Sequence, residues 1–525
     1  MKLTFVNLYS SETVARYLLS SYILKAYLLK RFADTPDLTV TILNFRNTAD
    51  AAKVCEKIKK DQPDFVGYSC YTWNVEKVFD IIKGLKDTPG MGHVLGGPEI
   101  NMSRIESLKD SCSRKYFIIG PGEKILADFV SYLYKVSEQR PAEVPEGVAF
   151  WSEDKIIYKE STHQFSSLDE IPSVYLSGTL EEKFYARQQA FLETSRGCKF
   201  KCNYCMYHKN LSSVSYYSLD RVMAEIDYLI LDKEIWQLRI FDSDFASDLS
   251  RAKKIIEHLI AIKPTCDVFP WIYWEFTFSG IDEEFIRLSG SLKDRERILN
   301  SSTIEPQDKP QCYSDMLEGY HIINCIGIQS FNPKALRSVN RMRVHTQEFF
   351  GFMETVNHHN VVLKIDFILG LPFETLDSYF EGLELFLPYL KDTDHVLNIH
   401  LLQILPGSKL ERKCEEFHIR YALEAPNFVF ATNTLPEKEL RYATKLTAVL
   451  FRVVNSPLRK LIYETKRSSG KAFLEIIRDL YESISAKEEF KTSQLVQKDF
   501  VDDYYWNGDI YKEITSAYLA DYFRT

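Results

Sequence analysis

Two rhythms of apolar and polar residues alternate through the first 135 positions. Short, mostly apolar runs, LTFVNLY, LTVTILNF, DFVGYSC and HVLGGPEI, read as strands. Between them TVARYLLSSYILKAYLLKRF, AAKVCEKIKK and VEKVFDIIKGLK repeat their apolar residues at the helical period. Strand–helix alternation at this spacing predicts a parallel, doubly wound sheet. Such sheets bind ligands at the carboxyl ends of their strands. Those ends carry Ser69-Cys70-Tyr71-Thr72, Gly96-Gly97-Pro98-Glu99 and Gly120-Pro121-Gly122-Glu123. Pro141, Pro145 and Pro172 then mark residues 141–187 as a linker with a small hairpin, GVAFWSEDKIIYKE.

From 188 to 420 the strand–helix rhythm returns in FLETS, WQLRIFD, DVFPWIYWEF, IINCIGIQS, VVLKIDFILG and LNIHLLQIL. Alternation assigns their faces. Ile322, Ile326 and Ile328 should face helices, and Cys325, Gly327 and Gln329 a lumen. Lys364 and Asp366 share a face with Gly370, again polar and inward, and His400 is a lumen candidate on the sixth strand. Residues 290–315 are charged and read as a surface loop. Residues 421–525 turn helical and end in an aromatic tail with Tyr504, Tyr505, Trp506, Tyr511, Tyr518 and Tyr522, which reads as a cap packed on the preceding unit. The expected fold is α/β. A doubly wound sheet occupies residues 1–140 and a linker 141–187, before a second strand–helix unit at 188–420 and helices from 421 to 525.

Composition narrows the class. A chain of 525 residues with 45% hydrophobic and 14% aromatic residues fills more than one core, which excludes global disorder. A net charge of −8 argues against a nucleic-acid backbone as partner. No apolar run reaches the length of about 18 residues needed to span a membrane, and Met1 to Leu19 lack a signal-peptide core, so a cytoplasmic protein is expected. Ten cysteines fit a reducing compartment.

Three of those cysteines lie together in Thr194-Ser195-Arg196-Gly197-Cys198-Lys199-Phe200-Lys201-Cys202-Asn203-Tyr204-Cys205. Closed zinc sites want four protein ligands, usually in two short pairs, and no fourth cysteine follows nearby. Three thiolates on one loop instead suit three irons of a [4Fe–4S] cube whose fourth iron stays open to a substrate. A metal-filled scaffold without catalysis is the competing reading.

The motif, with aromatic Tyr204 before its last cysteine, resembles that of the radical S-adenosylmethionine (radical SAM) superfamily. The resemblance implies a cluster on Cys198, Cys202 and Cys205, S-adenosylmethionine on the open iron, and an electron donor such as flavodoxin or ferredoxin. It implies a partial (β/α)6 barrel for residues 188–420. Asp242 or Asp244 would hold the amino group of S-adenosylmethionine, in a segment that lacks the family's usual Gly-Gly. Gly327-Ile328-Gln329-Ser330 resembles the motif flanking the ribose, and Asn340-Arg341 the pair that follows it. Gly370-Leu371-Pro372-Phe373-Glu374-Thr375 and Leu405-Pro406-Gly407-Ser408 match the turns after strands five and six.

The first domain resembles the cobalamin-binding domain that precedes many radical SAM domains. Ser69, Gly96 and Gly97 would then lie beneath the nucleotide tail. The loop Asn7-Leu8-Tyr9-Ser10-Ser11-Glu12 lacks the cobalt-ligating histidine of the methionine-synthase type. Cobalamin would therefore bind without a protein axial ligand, or not at all. With cobalamin, the implied reaction is methyl transfer to a peptide or natural product. Without it, hydrogen abstraction would lead to peptide epimerisation or rearrangement, with Cys325 returning the hydrogen atom. Cys266 and Cys414 read as structural, and His358 and His359 as the exposed end of a helix. His208 follows the cluster loop, and Cys312 lies in or beside the charged insertion.

Overall fold

The computed structural model describes residues 1–10, 15–35, 37–109, 114–139, 143–185, 189–206, 213–267, 269–292, 322–455 and 459–485. His208, Cys312, Ser11, Glu12, the aromatic tail and most of the charged insertion lie outside them.

The first sheet contains β1 (Lys2–Tyr9), β2 (Thr39–Arg46), β3 (Phe65–Ser69), β4 (Gly92–Gly96) and β5 (Lys115–Ile118), then β6 (Val148–Ser152) and β7 (Lys155–Ile157). Its order is β2-β1-β3-β4-β5-β6-β7. The first five strands pair in parallel, and the hairpin expected in the linker adds two antiparallel strands at the edge. Residues of β1 go alternately to the two faces. Leu3 and Phe5 pack with Leu28, Ile125 and Phe129, whereas Val6 and Leu8 pack with Val54, Ile58 and Val78. Helices therefore cover both faces, as parallel strands require. Gly67 makes room for this layer, since a Cβ there would stand 2.6 Å from the Phe5 ring.

The second unit begins with β8 (Gln189–Leu192) and a ribbon of β9 (Ser195–Arg196) and β10 (Ser215–Tyr216). It continues through β11 (Gln237–Ile240), β12 (Trp271–Phe276), β13 (Ile322–Gln329), β14 (Leu363–Leu369) and β15 (Val396–Leu401). β8 and β11–β15 pair in sequence order as a six-stranded parallel sheet. β8 and β15 stand at opposite ends of that order, so the barrel is open. Ile326 and Ile328 join the outer core beneath the helices, whereas Cys325 joins an inner group with Tyr273, Val362 and Val396. The two faces follow the alternation of the sequence.

A small ribbon of β16 (Arg420–Tyr421) and β17 (Val429–Ala431) leads into helices Glu437–Val454, Arg459–Ser469 and Phe473–Ser485. The first of these buries Leu440, Leu446 and Val453 in the barrel's own core. Asn455 completes the edge of β15: its Oδ1 accepts from Leu397 N at 3.0 Å and its Nδ2 donates to Leu397 O at 2.7 Å. One side-chain amide thus fills the backbone partners of an open strand. This portion of the helical region packs as the expected cap.

The two α/β units meet over an aromatic seam and an ion pair. Tyr22 of the first unit packs edge-on against Phe184 and Tyr17 edge-on against Phe191 of β8, while Tyr17 meets Phe184 at a tilt. Arg196 Nη1 lies 2.8 Å from Glu123 Oε1, and its Nε lies 2.8 Å from Glu193 Oε2. Glu123 opens helix Gly122–Ser137, at the carboxyl edge of the first sheet. Arg196→Met leaves two carboxylates around a lost cation, and should lower unfolding free energy by about 3–5 kcal/mol in denaturant titration. Adding Glu123→Gln to that variant should recover part of the loss.

Candidate active site

The site is built where β8 stops. Glu193 and Thr194 leave the strand, and Gly197 turns the chain at φ +98°. A Cβ on Gly197 would stand 2.5 Å from Ser213 O, so only glycine lets the cluster loop pass the incoming strand. The Ser243 hydroxyl donates to Gly197 O and steadies the turn.

Cys198 and Cys202 are buried and Cys205 half-buried. Among the described residues no three His, Cys, Asp or Glu side chains gather as ligands of a single ion. Three thiols on one loop with no fourth cysteine beside them fit a [4Fe–4S] cluster better than a closed zinc site. The loop is gripped from outside: Asn203 N donates to Val339 O at 2.8 Å, and Leu410 N donates to Asn203 O at 2.8 Å. Arg341, under the loop, points Nη1 at Cys202 Sγ (3.7 Å) and Nη2 at Gly327 O (2.6 Å). Tyr204 packs beside it, and burial raises its phenol above the ordinary range.

The two candidate aspartates separate. Asp242 Oδ1 accepts from Thr194 N at 2.7 Å and Ser195 N at 3.0 Å, and Oδ2 accepts from Thr194 Oγ1 at 2.5 Å. Both of its oxygens are committed to the entry of the cluster loop. Asp244 Oδ1 accepts from Thr277 N at 3.1 Å, and Lys199 Nζ lies 3.2 Å from Oδ2. That Oδ2 is buried and faces the Lys199 ammonium, itself 43% exposed, rather than a backbone donor. A buried carboxylate oxygen that already meets an ammonium beside the cluster loop suits the amino group of S-adenosylmethionine better than Asp242, whose two oxygens are taken.

Gln329 ends β13 at φ +70° with its Oε1 buried and unmatched, a second free acceptor. A Cβ at Gly327 would lie 2.2 Å from the Gln329 amide, which explains the glycine. Ser330 is spent elsewhere: its hydroxyl donates to Glu374 Oε2 at 2.5 Å and accepts from Asn332 N at 2.9 Å. It ties the turns after β13 and β14 together.

On the first sheet, Ser69 lies within hydrogen-bond reach of Ser20 (3.1 Å) and Ser21 (3.3 Å), and Tyr71 donates to Ser20 at 3.0 Å. Asn7 Oδ1 near the end of β1 is buried and unmatched. Hydroxyls and a free acceptor at the β1/β3 switch point fit the amide-rich periphery of cobalamin. A Cβ on Gly96 would meet Ile118 at an ordinary 3.5 Å, so that position has space. Gly97 has a different reason. At φ +107° its Cβ would stand 2.5 Å from Cys70 O, so the turn itself demands glycine.

The lumen holds a polar network that strand alternation shows only in part. Asp366 Oδ1 accepts from Asn398 Nδ2 at 2.8 Å and lies 3.4 Å from Lys364 Nζ. Its Oδ2 accepts from the Cys325 thiol at 3.3 Å and lies 3.6 Å from His400 Nε2. Asn398 Nδ2 also reaches His400 Nε2 at 2.7 Å, and Tyr273 donates to Glu275 at 2.6 Å. Burial works against the Asp366 carboxylate, but Lys364, His400 and Asn398 hold it well below the usual range. Cys325 faces the lumen as alternation predicts, yet is only 2% exposed, whereas the His400 side chain is 53% exposed. Tyr273, Glu275 and Asn398 carry the same period-two signal as Lys364 and Asp366. Each sits two residues from another polar group within an apolar strand.

Residues 192–386 match the radical SAM superfamily, and residues 21–130 match the B12 binding domain. The chain is a radical SAM protein with a B12-binding domain before the barrel. That assignment weighs against the non-catalytic scaffold reading. Among curated relatives, the cobalamin-dependent radical SAM methyltransferase TokK of Streptomyces tokunonensis is 21% identical over 369 residues, covering 68% of this chain and 50% of that protein. The 2-(S-pantetheinyl)-carbapenam-3-carboxylate methyltransferase of Streptantibioticus cattleyicolor is 20% identical, covering 66% and 48%. The chain thus spans about half the length of these relatives. The fold is shared with OxsB, a cobalamin-dependent S-adenosylmethionine radical enzyme solved with aqua-cobalamin and S-adenosylmethionine bound. Its TM-score is 0.61 at 14% identity, covering 100% of this chain and 79% of that one. TsrM of Kitasatospora setae, a radical S-adenosylmethionine methyltransferase, gives a TM-score of 0.57 at 16% identity, covering 79% and 76%.

Burial raises the Asp242 carboxyl to about 6, against the donors from Thr194 and Ser195. A carboxyl raised by folding favours the fold at low pH, and that contribution is lost as pH rises from the unfolded value of 3.8 through about 6. Asp242→Asn removes this titration. Its stability relative to wild type should therefore rise across that window in denaturant titrations at pH 4.5, 6 and 7.5. Asp242→Ala leaves two buried N–H groups unmatched, at about 1–3 kcal/mol each, and should lower stability at every pH.

Replacing Cys198, Cys202 and Cys205 together by alanine should abolish iron and sulfide incorporation on anaerobic reconstitution. Retention of either would remove the cluster assignment.

Proposed function

We propose that this protein is a cobalamin-dependent radical SAM methyltransferase acting on a peptide or small-molecule natural product. The observation that carries the reading is the Arg196–Glu123 pair. It ties the carboxyl edge of the B12-binding domain to the residue two positions before Cys198, the first cluster cysteine. The ligand edges of the two α/β units are thereby brought beside one another. When bound, the cofactors supply a carbon-centred radical and a methyl donor; the protein supplies orientation and a water-poor cavity.

Cys198, Cys202 and Cys205 would hold the cluster, and Asp244 the ammonium of S-adenosylmethionine. Arg341 and Gln329 line the same wall, and Ser69 with its neighbouring hydroxyls would line the corrinoid tail. The lumen network offers His400 to the substrate, backed by Asp366 and Asn398. One relative is named a methyltransferase of 2-(S-pantetheinyl)-carbapenam-3-carboxylate, and TsrM was solved with tryptophan as substrate, which supports a small-molecule substrate. A low-potential electron donor belongs to the same reading. Among the described residues no helix is long and apolar enough to cross a membrane, and we assign a cytoplasmic location on the sequence.

An epimerase would need the Cys325 thiol against a substrate carbon. Here it donates to Asp366 and packs among Tyr273, Val362 and Val396, which weighs for methyl transfer.

Protein produced with hydroxocobalamin should keep one corrinoid per chain through gel filtration. On reduction with S-adenosylmethionine it should release both 5′-deoxyadenosine and S-adenosylhomocysteine. Release of 5′-deoxyadenosine alone from corrinoid-free protein would reject methyl transfer.

A further inference from the structure

Buried rows of a helix-covered parallel sheet are normally apolar. The row at the carboxyl end of the first sheet departs from that rule. Asn7 pairs in register with Asn44 of β2, and Ser69 with Gly96 of β4. β1 and β3 pair Val6 with Tyr68, so one step further Asn7 stands beside Ser69. Asn44, Asn7, Ser69 and Gly96 thus cross four neighbouring strands on one face. Val40, Phe5, Phe65 and Val94, two or four residues earlier on the same strands, pack with Leu28 of helix Leu19–Arg31. The polar row lies under the start of that helix, which carries Ser20, Ser21 and Tyr22.

Hydrogen bonds fix which way the amides point. The Tyr22 hydroxyl is bonded to the Glu181 carboxylate, which only accepts, so Tyr22 itself accepts from Asn44 Nδ2 at 3.0 Å. Asn44 Oδ1 in turn accepts from Asn7 Nδ2 at 2.9 Å. Asn7 Oδ1 is left facing away from this chain, fully buried and without a donor. On the other side Tyr71 donates to Ser20 at 3.0 Å and Ser20 to Ser69 at 3.1 Å, which leaves the Ser69 proton for Ser21 or for a ligand. Gly96 adds room, since a Cβ there would meet nothing closer than 3.5 Å. Buried acceptors are seldom left unmatched, and this one calls for an N–H.

We propose that this row selects the nucleotide base of the corrinoid, favouring a purine that carries an N–H, such as adenine, over the dimethylbenzimidazole of cobalamin. A flat base fits between a helix and a sheet, where the broader corrin cannot follow. Adenine offers an amino N–H to Asn7 Oδ1 and ring nitrogens to the serine hydroxyls. Dimethylbenzimidazole has no N–H to give and brings two methyl groups to the same row, so Asn7 Oδ1 stays unmatched beside it. A site built around a hydrogen bond discriminates against a ligand that lacks it. The inference rests on the B12-binding assignment and holds whether or not the protein transfers methyl groups.

The test is a competition on full-length protein produced without corrinoid. Hydroxocobalamin and its adenine-bearing counterpart, hydroxo-adeninylcobamide, are supplied together in equal, excess amounts. Unbound corrinoid is removed by gel filtration, and the bound fraction is extracted and resolved by chromatography. Wild type should hold the adenine form in at least about tenfold excess. Asn7→Leu, which removes the acceptor, should bring that ratio to within about twofold of one. Equal retention of the two forms by wild type would overturn the proposal, because a corrin side-chain amide or a water would then be the partner of Asn7. A preference that survives in Asn7→Leu overturns it as well. If that variant fails to fold, Ser69→Ala should still lower the ratio, and an undiminished ratio rejects the row as the selector. Wild type that retains neither corrinoid would instead strike down the B12-binding assignment.

Discussion

A buried guanidinium holds this protein's two halves in register. Arg196 sits between the last strand residues of the barrel's first strand and the first cluster cysteine, and its charge is shared by Glu193 of its own unit and Glu123 of the other. An unpaired charge at that depth would be costly, so the two units are obliged to meet at this edge. Parallel sheets covered by helices leave only their strand ends for chemistry. The ion pair makes those ends of one sheet the neighbours of the other's.

Around that fixed edge, polar groups divide into those consumed by the fold and those left open. Asp242 and Ser330 are consumed: each completes a turn or a backbone hydrogen-bond set. Gln329 and Asn7 each keep a buried oxygen without a donor, and Asp244 keeps one that faces the half-exposed Lys199 ammonium. Buried acceptors are seldom left unmatched, so these atoms mark the places a ligand should fill. The lumen follows the same logic. Asp366 is saturated by four neighbours, and only His400 of that network is largely open to solvent.

The cluster motif, the strand–helix order and both barrel faces were legible in the sequence, because cysteine spacing and period-two alternation are local signals. The roles of the aspartates were not. Asp242 and Asp244 are two residues apart on the same side of one segment, and nothing local distinguishes them. Their difference comes from Thr194 and Ser195, some 48 positions away, whose amides reach only Asp242. Gly96 and Gly97 likewise look interchangeable until the backbone of Cys70 is placed beneath one of them.

Sequence by itself determined which residue types stand at the carboxyl ends of the strands, since patterning sets where a strand stops and which face each residue takes. It also determined that three thiols share one short loop. Only the tertiary structure decided that Glu123 belongs to Arg196 and that the Cys325 thiol lies against Asp366. Those pairings join residues 73 and 41 positions apart. Contacts at that range are chosen by how helices and sheets pack, which no local window of sequence encodes.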